Sequence, residues 1–502
     1  MPLYFERFPK VVSACGPDAR FLLEVIVAGP EYSHEPWQDL SVKSLAQDLR
    51  LDETVVSAAL SELVAAGVLE RLVASRGGRV GRGKVTYGRC LGNEPEQADC
   101  TYPQHAELLQ TLFSKADLAF AVLGSELGRA SKPGELGKAM ESGKKGAAAK
   151  PDQDKQEPDQ GKQEPAQGKH QLAGGRGRLS VRNRLLFAVL LSRSDRFGEV
   201  QVGLPELAQL TGMQPEQVKT RLARLMLLGL IRRYIPGLSS RVFATGRIES
   251  TYFLNIDALA PQGAIAVHIT RWEGQTRTHA EMLHDDCKSF LKGELDGLEM
   301  PLSLLRLLAG QQRKVFFLFQ HLLYRYTSHL LSRHWQKLAS ERSIEDTELR
   351  AWIEKDFIKA PKPAMASEID PEAEAGARGE AASDLKDGTG GDAGKTCACI
   401  YAMAMEIARE YRARFGQASW VDFEAADIRI LPAMSDLGYR AITILYQPVL
   451  VGLGRFSVLH EVERGVVESG PQAHETELFL QNRLDFGLAT LPLKVRRALH
   501  LQ

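Results

Sequence analysis

The sequence predicts a mostly α chain with α+β parts, built as several folded blocks joined by flexible linkers. Three observations carry that prediction. Apolar residues recur at helical spacing through most of the chain. Two segments have almost no large apolar residues. One helix–turn–helix pattern occurs twice, each time followed by a hairpin pattern. With 502 residues, 44% hydrophobic and 25% charged, there is material for several cores. Lys plus Arg is 63 and Asp plus Glu is 63, which excludes a uniformly basic coat for nucleic acid. Any such contact must come from local patches. Six Cys make no disulfide framework. Met1 to Lys10 has no signal-type apolar core, and no stretch reaches 18 uncharged apolar residues. The expectation is a soluble cytoplasmic protein with no membrane partner.

The first break runs from about Gly128 to Gly175, with KQEP at Lys155–Pro158 and again at Lys162–Pro165. The second runs from about Pro361 to Lys395 and is rich in Ala, Gly, Glu and Asp. Neither has enough apolar side chain to offset its own ordering entropy, so both read as disordered linkers. The predicted boundaries are a first domain with a trailing helix at 1–127, a linker at 128–175 and a second domain at 176–258. A helical domain at 259–360, a linker at 361–395 and a small α+β domain at 396–502 follow. Charge is shared unevenly among them. From Arg176 to Ser250 there are thirteen Arg/Lys against five Asp/Glu, whereas 259–359 has fourteen against thirteen.

The basic stretch has an ordered pattern. Ser180–Leu191 has Leu185, Leu186, Val189 and Leu190 at helical spacing, and Val200–Val202 is extended. Leu204–Leu210 is a short helix with Pro205 at its start. Thr211–Gly212–Met213 is a turn, and Gln214–Leu228 is a longer helix with Val218, Leu222 and Leu225 on one face. Gly229 suits a C-cap. Arg232–Tyr234, a turn at Pro236–Ser240 and Arg241–Leu254 make a hairpin. The N-terminal block repeats the order with helices at Pro17–Val27, Ser41–Leu49 and Asp52–Ala66, Asp52 serving as N-cap. A hairpin follows, with its tip at Arg76–Lys84.

Helix, small strand, helix, turn, helix, hairpin is the winged-helix order. The words LAQLTGMQPEQVKTRLARLMLLGLI and LAQDLRLDETVVSAALSELVAAGVL resemble the helix-turn-helix core of GntR- and MarR-type winged-helix domains, including the leucine-patterned helix and its exit into the wing. The resemblance covers about 75 residues of the second copy. It implies a third helix seated in the major groove of double-stranded DNA. In the second copy the residues facing bases are then Gln214, Gln217, Lys219 and Thr220, with Arg224 further along. Gln pairs adenine in a bidentate way and Lys reaches guanine or phosphate. The wing adds Arg232, Arg233 and Arg241 against the backbone or minor groove. The first copy's third helix opens on Asp52 and Glu53 and later carries Glu62, which oppose phosphate. Its wing has Arg76, Arg79, Arg82 and Lys84 among four glycines and no acid, a pattern that suits phosphate more than base edges. A flexible tether of about 48 residues would span roughly 35–40 Å and let the two modules bind separately.

Other chemistry is thinly signalled. Cys397-x-Cys399 lacks the second ligand pair a zinc site needs, and His284-Asp285-Asp286-Cys287 reads as a polar helix end. No phosphate-binding glycine loop, nucleophile elbow or metalloprotease motif occurs, so no cofactor, metal or enzymatic activity is expected. Pro301–Leu338 reads as a buried helix or a helical pair broken near Gly310, followed by a helix at Glu345–Ile358. The C-terminal block reads as a helix at Ile400–Phe415 and strands at Ile428–Ala433, Tyr439–Gln447 and Phe456–Val462, then a helix at Glu475–Leu484. The expected function is a DNA-binding, nucleoid-associated transcriptional regulator of bacterial type. A replication or partition initiator of a mobile element and a winged-helix scaffold subunit of a chromosome-organising or defence complex are the rivals. A second copy of the chain or other protein subunits are further partners.

Overall fold

The computed structural model describes residues 3–28, 40–74, 84–89, 105–114, 179–256, 264–271, 279–294, 310–358, 388–415, 423–435, 438–447, 456–462 and 465–472, with single positions between them. The first expected linker, the first wing's tip (Arg76–Lys84) up to residue 83, and residues 475–482 of the helix expected at Glu475–Leu484 lie outside the described residues. The chain is mostly helical with small sheets. It divides into two compact units: residues 1–192, 208–229 and 491–501, and residues 193–207, 230–490 and 502.

The first unit begins with α1 (Pro9–Ala14) and α2 (Pro17–Ala28), followed by α3 (Val42–Leu49) and α4 (Glu53–Ala65). Ser41 caps α3 by accepting the Ser44 N–H, and Asp52 caps α4 by accepting the Thr54 N–H at 2.8 Å. Between them Arg50 takes a left-handed conformation and the Leu51 N–H returns to the Ala46 carbonyl, which closes α3. Strands β1 (Leu69–Ala74) and β2 (Lys84–Arg89) form an antiparallel hairpin, Leu69 opposite Arg89, and Leu40 bridges to Tyr87 on the far side of β2. Helix α5 (Ala106–Phe113) is the expected trailing helix.

Helix α6 (Val181–Arg193) joins the same unit and is buried on every face from Asn183 to Leu191. With it come the end of α7 (Leu204–Thr211) and all of α8 (Pro215–Leu227). The two helix–turn–helix copies are therefore packed together and not merely tethered. Phe21 of α2 meets Phe113 of α5 with ring centroids 5.5 Å apart. Arg182 of α6 pairs with Asp18 of α2 at 2.7 Å. Arg184 donates to the carbonyls of Leu112 and Ser114 at the end of α5 and lies over the Phe21 ring.

The second unit holds two sheets of more than two strands. In one, β3 (Glu199–Gln201), β4 (Ile231–Ile235) and β7 (Thr251–Leu254) take the order β3-β7-β4, all antiparallel. A small hairpin, β5 (Leu238–Ser239) with β6 (Arg247–Ile248), extends between β4 and β7. The other sheet has five strands: β8 (Ala264–Arg271), β9 (Asp427–Ser435), β10 (Gly438–Gln447), β11 (Phe456–Val462) and β12 (Gly465–Gln472). Their order is β12-β11-β8-β10-β9, antiparallel except for the β11–β8 pair.

Helices α9 (His279–Leu291), α10 (Arg313–Arg333), α11 (Lys337–Ser340), α12 (Thr347–Phe357) and α13 (Gly388–Phe415) complete this unit. Helix α10 is buried nearly all round between Val315 and Leu331, including Gln320, His321, Thr327, Ser328 and His329. Its Ser328 hydroxyl accepts the Ile430 N–H of β9 at 2.9 Å, and its Thr327 hydroxyl donates to the Ala404 carbonyl of α13.

Two sequence expectations are corrected here. Residues 259–360 and 396–502 were read as separate domains. Strand β8 comes from the first and lies at the centre of a sheet whose other strands come from the second. A single apolar core runs through Phe316, Phe319, Tyr324, Ile400, Ala408, Ile428 and Ile430. The second linker was drawn to Lys395, yet α13 already begins at Gly388. Among the described residues no helix is long and apolar enough to cross a membrane.

Candidate nucleic-acid interface

Helix α8 is the element on which the sequence placed base contacts. The α7–α8 turn needs Gly212, whose φ is +68°. A Cβ there would stand 3.0 Å from both the Arg20 guanidinium carbon and the Cys15 carbonyl oxygen. Gln214 is the N-cap residue but makes no side-chain cap, Pro215 opening the helix in its place. Val218, Leu222 and Leu225 face inward, as the heptad-like spacing predicts. Gln214, Gln217, Lys219 and Thr220 are all exposed. Lys219 pairs with Glu216 at 2.7 Å, and the Thr220 hydroxyl donates back to the Glu216 carbonyl. Such a surface pair is weakly held and open to exchange for phosphate. Arg224 is half-buried, its pKa lowered by desolvation.

Arg221, which the sequence reading passed over, sits one residue beyond Thr220. Its guanidinium donates to Asn183 Oδ1 at 3.0 Å and to Ser180 Oγ at 3.2 Å. Desolvation lowers its pKa, with Arg182 adding to the effect and Asp18 opposing it. Asp18, Arg182 and Arg221 thus form a charged file across α2, α6 and α8.

The second wing does not stand free. Arg232 is 2% exposed and donates to Asn255 Oδ1 at 2.7 Å. Arg233 is half-buried with its charged head out of water, and burial lowers its pKa to about 10. The cause is a shift of register between Ile231 and Arg233 in the β4–β7 pairing, which breaks the in–out alternation. Neither residue is presented to phosphate, contrary to the sequence expectation. Arg241 is exposed, but the residues after it are anchored. Val242 and Phe243 are buried, the Ala244 N–H donates to the Asp356 carbonyl at 2.8 Å, and Phe243 meets Phe357 of α12 at 5.8 Å.

The first copy is arranged the other way. Helix α4 exposes Glu53, Thr54, Ala58, Ser61 and Glu62. Hydrogen bonds from the Thr54 hydroxyl and amide hold the Asp52 carboxyl below the usual range. Glu62, read as repelling phosphate, accepts the Gly16 N–H at 2.6 Å, just ahead of α2. The wing strand β1 is open, with Glu70, Arg71, Leu72 and Val73 all exposed. Of the cations predicted at its tip, Arg76, Arg79 and Arg82 lie outside the described residues. Lys84 opens β2 opposite Ala74.

The residue that organises this face carried no local signal. Arg20 of α2 is 3% exposed. Its guanidinium donates to the carbonyls of Val12 at 2.5 Å, Cys15 at 2.9 Å, Gln209 at 2.5 Å and Leu210 at 2.7 Å. It thereby closes the C-terminal ends of α1 and α7 at once, satisfying carbonyls that helix ends leave open.

Among the described residues no group of three or more His, Cys, Asp or Glu is gathered to hold a metal. Cys397 is buried, Cys399 is half-buried, and Cys287 is in the core with its thiol pushed up to about 11, first by burial. Comparison with protein-family models, curated proteins and solved structures finds no match to this chain.

Proposed function

We propose that the protein is a sequence-specific double-stranded DNA-binding protein, acting as a transcriptional regulator, in which two winged-helix modules divide the contact. Helix α8 reads bases through Gln214, Gln217 and Lys219 with Thr220 beside them. The first wing supplies cationic phosphate contact through Arg76, Arg79, Arg82 and Lys84. The observation that carries this reading is the open start of α8, where four polar side chains stand in solvent and none is needed for packing. The strand orders support it. In the second copy the strand before the helix pair lies beside the last wing strand, giving β3-β7-β4. In the first, Leu40 lies beside β2 and β2 beside β1. Both orders fit the winged-helix reading.

A protein-binding scaffold is the second reading. It is favoured by the second wing, whose Phe243 and Arg232 are turned inward and offer nothing to DNA. The deciding experiment is selection of bound duplexes from a random pool by the full chain, followed by anisotropy titration of the winner and a scrambled duplex at two salt concentrations. The DNA reading expects a selected sequence bound at least a hundredfold more tightly than the scramble. Equal, weak binding of both would sink it in favour of the scaffold.

A further inference from the structure

Between α9, α10 and α13, inside the second unit, lies a cavity of about 160 Å³. Its floor is made by Phe316, Phe319 and Tyr324 of α10, all fully buried. Half-buried Leu283 of α9 and Met403 and Ile407 of α13 leave it open to solvent on one side. Close-packed interiors hold few voids larger than a water molecule, and this one is several times that size. Water gains little by filling it. A buried water needs two to four polar partners, and the wall presents a single polar spot, where the Gln320 amide donates to the Tyr324 hydroxyl at 3.0 Å.

We propose that this cavity is a ligand site for a small single-ring aromatic compound carrying one hydroxyl or amino group. Size sets the first term, since a cavity on the order of 150 Å³ takes a benzene ring. The walls set the second. Phe316 and Phe319 offer ring faces and edges, and the Met403 thioether packs well against an aromatic edge. The Gln320–Tyr324 pair sets the third, as one polar spot that fixes the ligand's orientation in an otherwise hydrocarbon wall. The site is independent of whether the protein binds DNA. It is also wired to the second wing: Phe319 meets Phe357 at 5.5 Å, and Phe357 meets Phe243 at 5.8 Å. Occupancy of the cavity therefore bears on the side chain that anchors the wing.

The test uses the full chain with ¹³C-methyl methionine, the Met403 signal being assigned from Met403→Leu. It is titrated with p-cresol, toluene and 1-hexanol. The expected result is a saturable shift of the Met403 methyl, with p-cresol binding at least fivefold more tightly than toluene and more tightly than hexanol. Ile407→Trp, which fills the cavity from its open side, should weaken p-cresol at least tenfold with circular dichroism unchanged. Leu283→Trp fills it from α9 and serves if Ile407→Trp does not fold. No saturable shift up to the solubility of p-cresol overturns the proposal, as does unchanged affinity in a folded Trp variant. Tighter binding of hexanol overturns the aromatic assignment.

Discussion

The two helix–turn–helix copies share an element order and differ in what they leave open. In the first, the wing strand is bare, with Val73 60% exposed, while the third helix presents small and acidic residues. In the second, the third helix presents Gln and Lys, while the wing is sunk into a core, Phe243 being 0% exposed. On the proposed DNA-binding reading, each copy keeps one half of a contacting module available and commits the other half to packing or capping. Two incomplete surfaces then make one complete set, provided they are held together. Arg20, bonding α1 and α7 at once, holds them together with the Arg182–Asp18 pair and Arg184.

The contrast between the wings gives the largest expected effect. Phe243→Ala removes a fully buried ring that packs on Phe357. It should cost about 3–5 kcal/mol in urea unfolding. Val73→Ala on the open first wing should stay within about 0.5 kcal/mol. Equal losses at both would erase the distinction.

Next is the clamp. Arg20→Leu leaves four carbonyls without their charged donor and should cost about 2–4 kcal/mol. Hydrogen exchange should show the loss at the end of α7 as well as in α1. Protection lost in α1 alone would show that the two copies are not coupled through this residue.

On DNA, Gln217→Ala should cost about 1–3 kcal/mol on the selected duplex and nothing on a scramble, if its contact is bidentate. In the first copy Val55 stands at the matching position, and changing its exposed neighbour, Thr54→Ala, should leave the preference between duplexes intact. A larger loss of preference from Thr54→Ala would reverse the assignment of reading helix.

The smallest effect per residue belongs to the first wing. Replacing Arg76, Arg79, Arg82 and Lys84 together by Ala should lower affinity for any duplex by roughly 0.5–1 kcal/mol per contact. The salt slope should flatten by up to about four units. Selective loss on the chosen duplex would show that the wing reads bases.

What the sequence made legible, and what it hid, follows from the range of the interactions. Helices α2 to α4 and α6 to α8 were readable because caps, glycines and apolar spacing act within a few residues. Gly212 and Gly229 were placed correctly, both at positive φ. The strands β9, β10 and β11 were also readable from local pattern. Strand β8 was not assigned, although Ala264–Arg271 is rich in β-branched residues, because its partners lie far along the chain. Strand β12 carries Gly, Pro and Glu and has no strand-like pattern of its own. At the site, the exposed face of α8 was legible, since a helix with one apolar stripe must show its other side. The burial of Arg232 was not, because a register shift in β4 leaves no mark in composition. Arg20 was invisible for a third reason. A cation inside a helix reads as solvated until the carbonyls that surround it, some from residues about 190 positions away, are known.

The central place of β8 has a consequence for synthesis on the ribosome. Its two neighbours in the sheet, β10 and β11, are translated last to Gln447 and Val462. At ordinary elongation rates that is roughly ten to forty seconds after Arg271 leaves the decoding site. Through that interval a strand with both edges unpaired emerges ahead of its partners, offering hydrogen-bonding groups to any extended segment nearby. Among the described residues no local hairpin covers it, since both pairings close long loops. Slowing translation upstream of β10 should therefore lengthen the window for mispairing and raise the share of aggregated product, while leaving the first unit's own hairpin, β1 with β2, to close early.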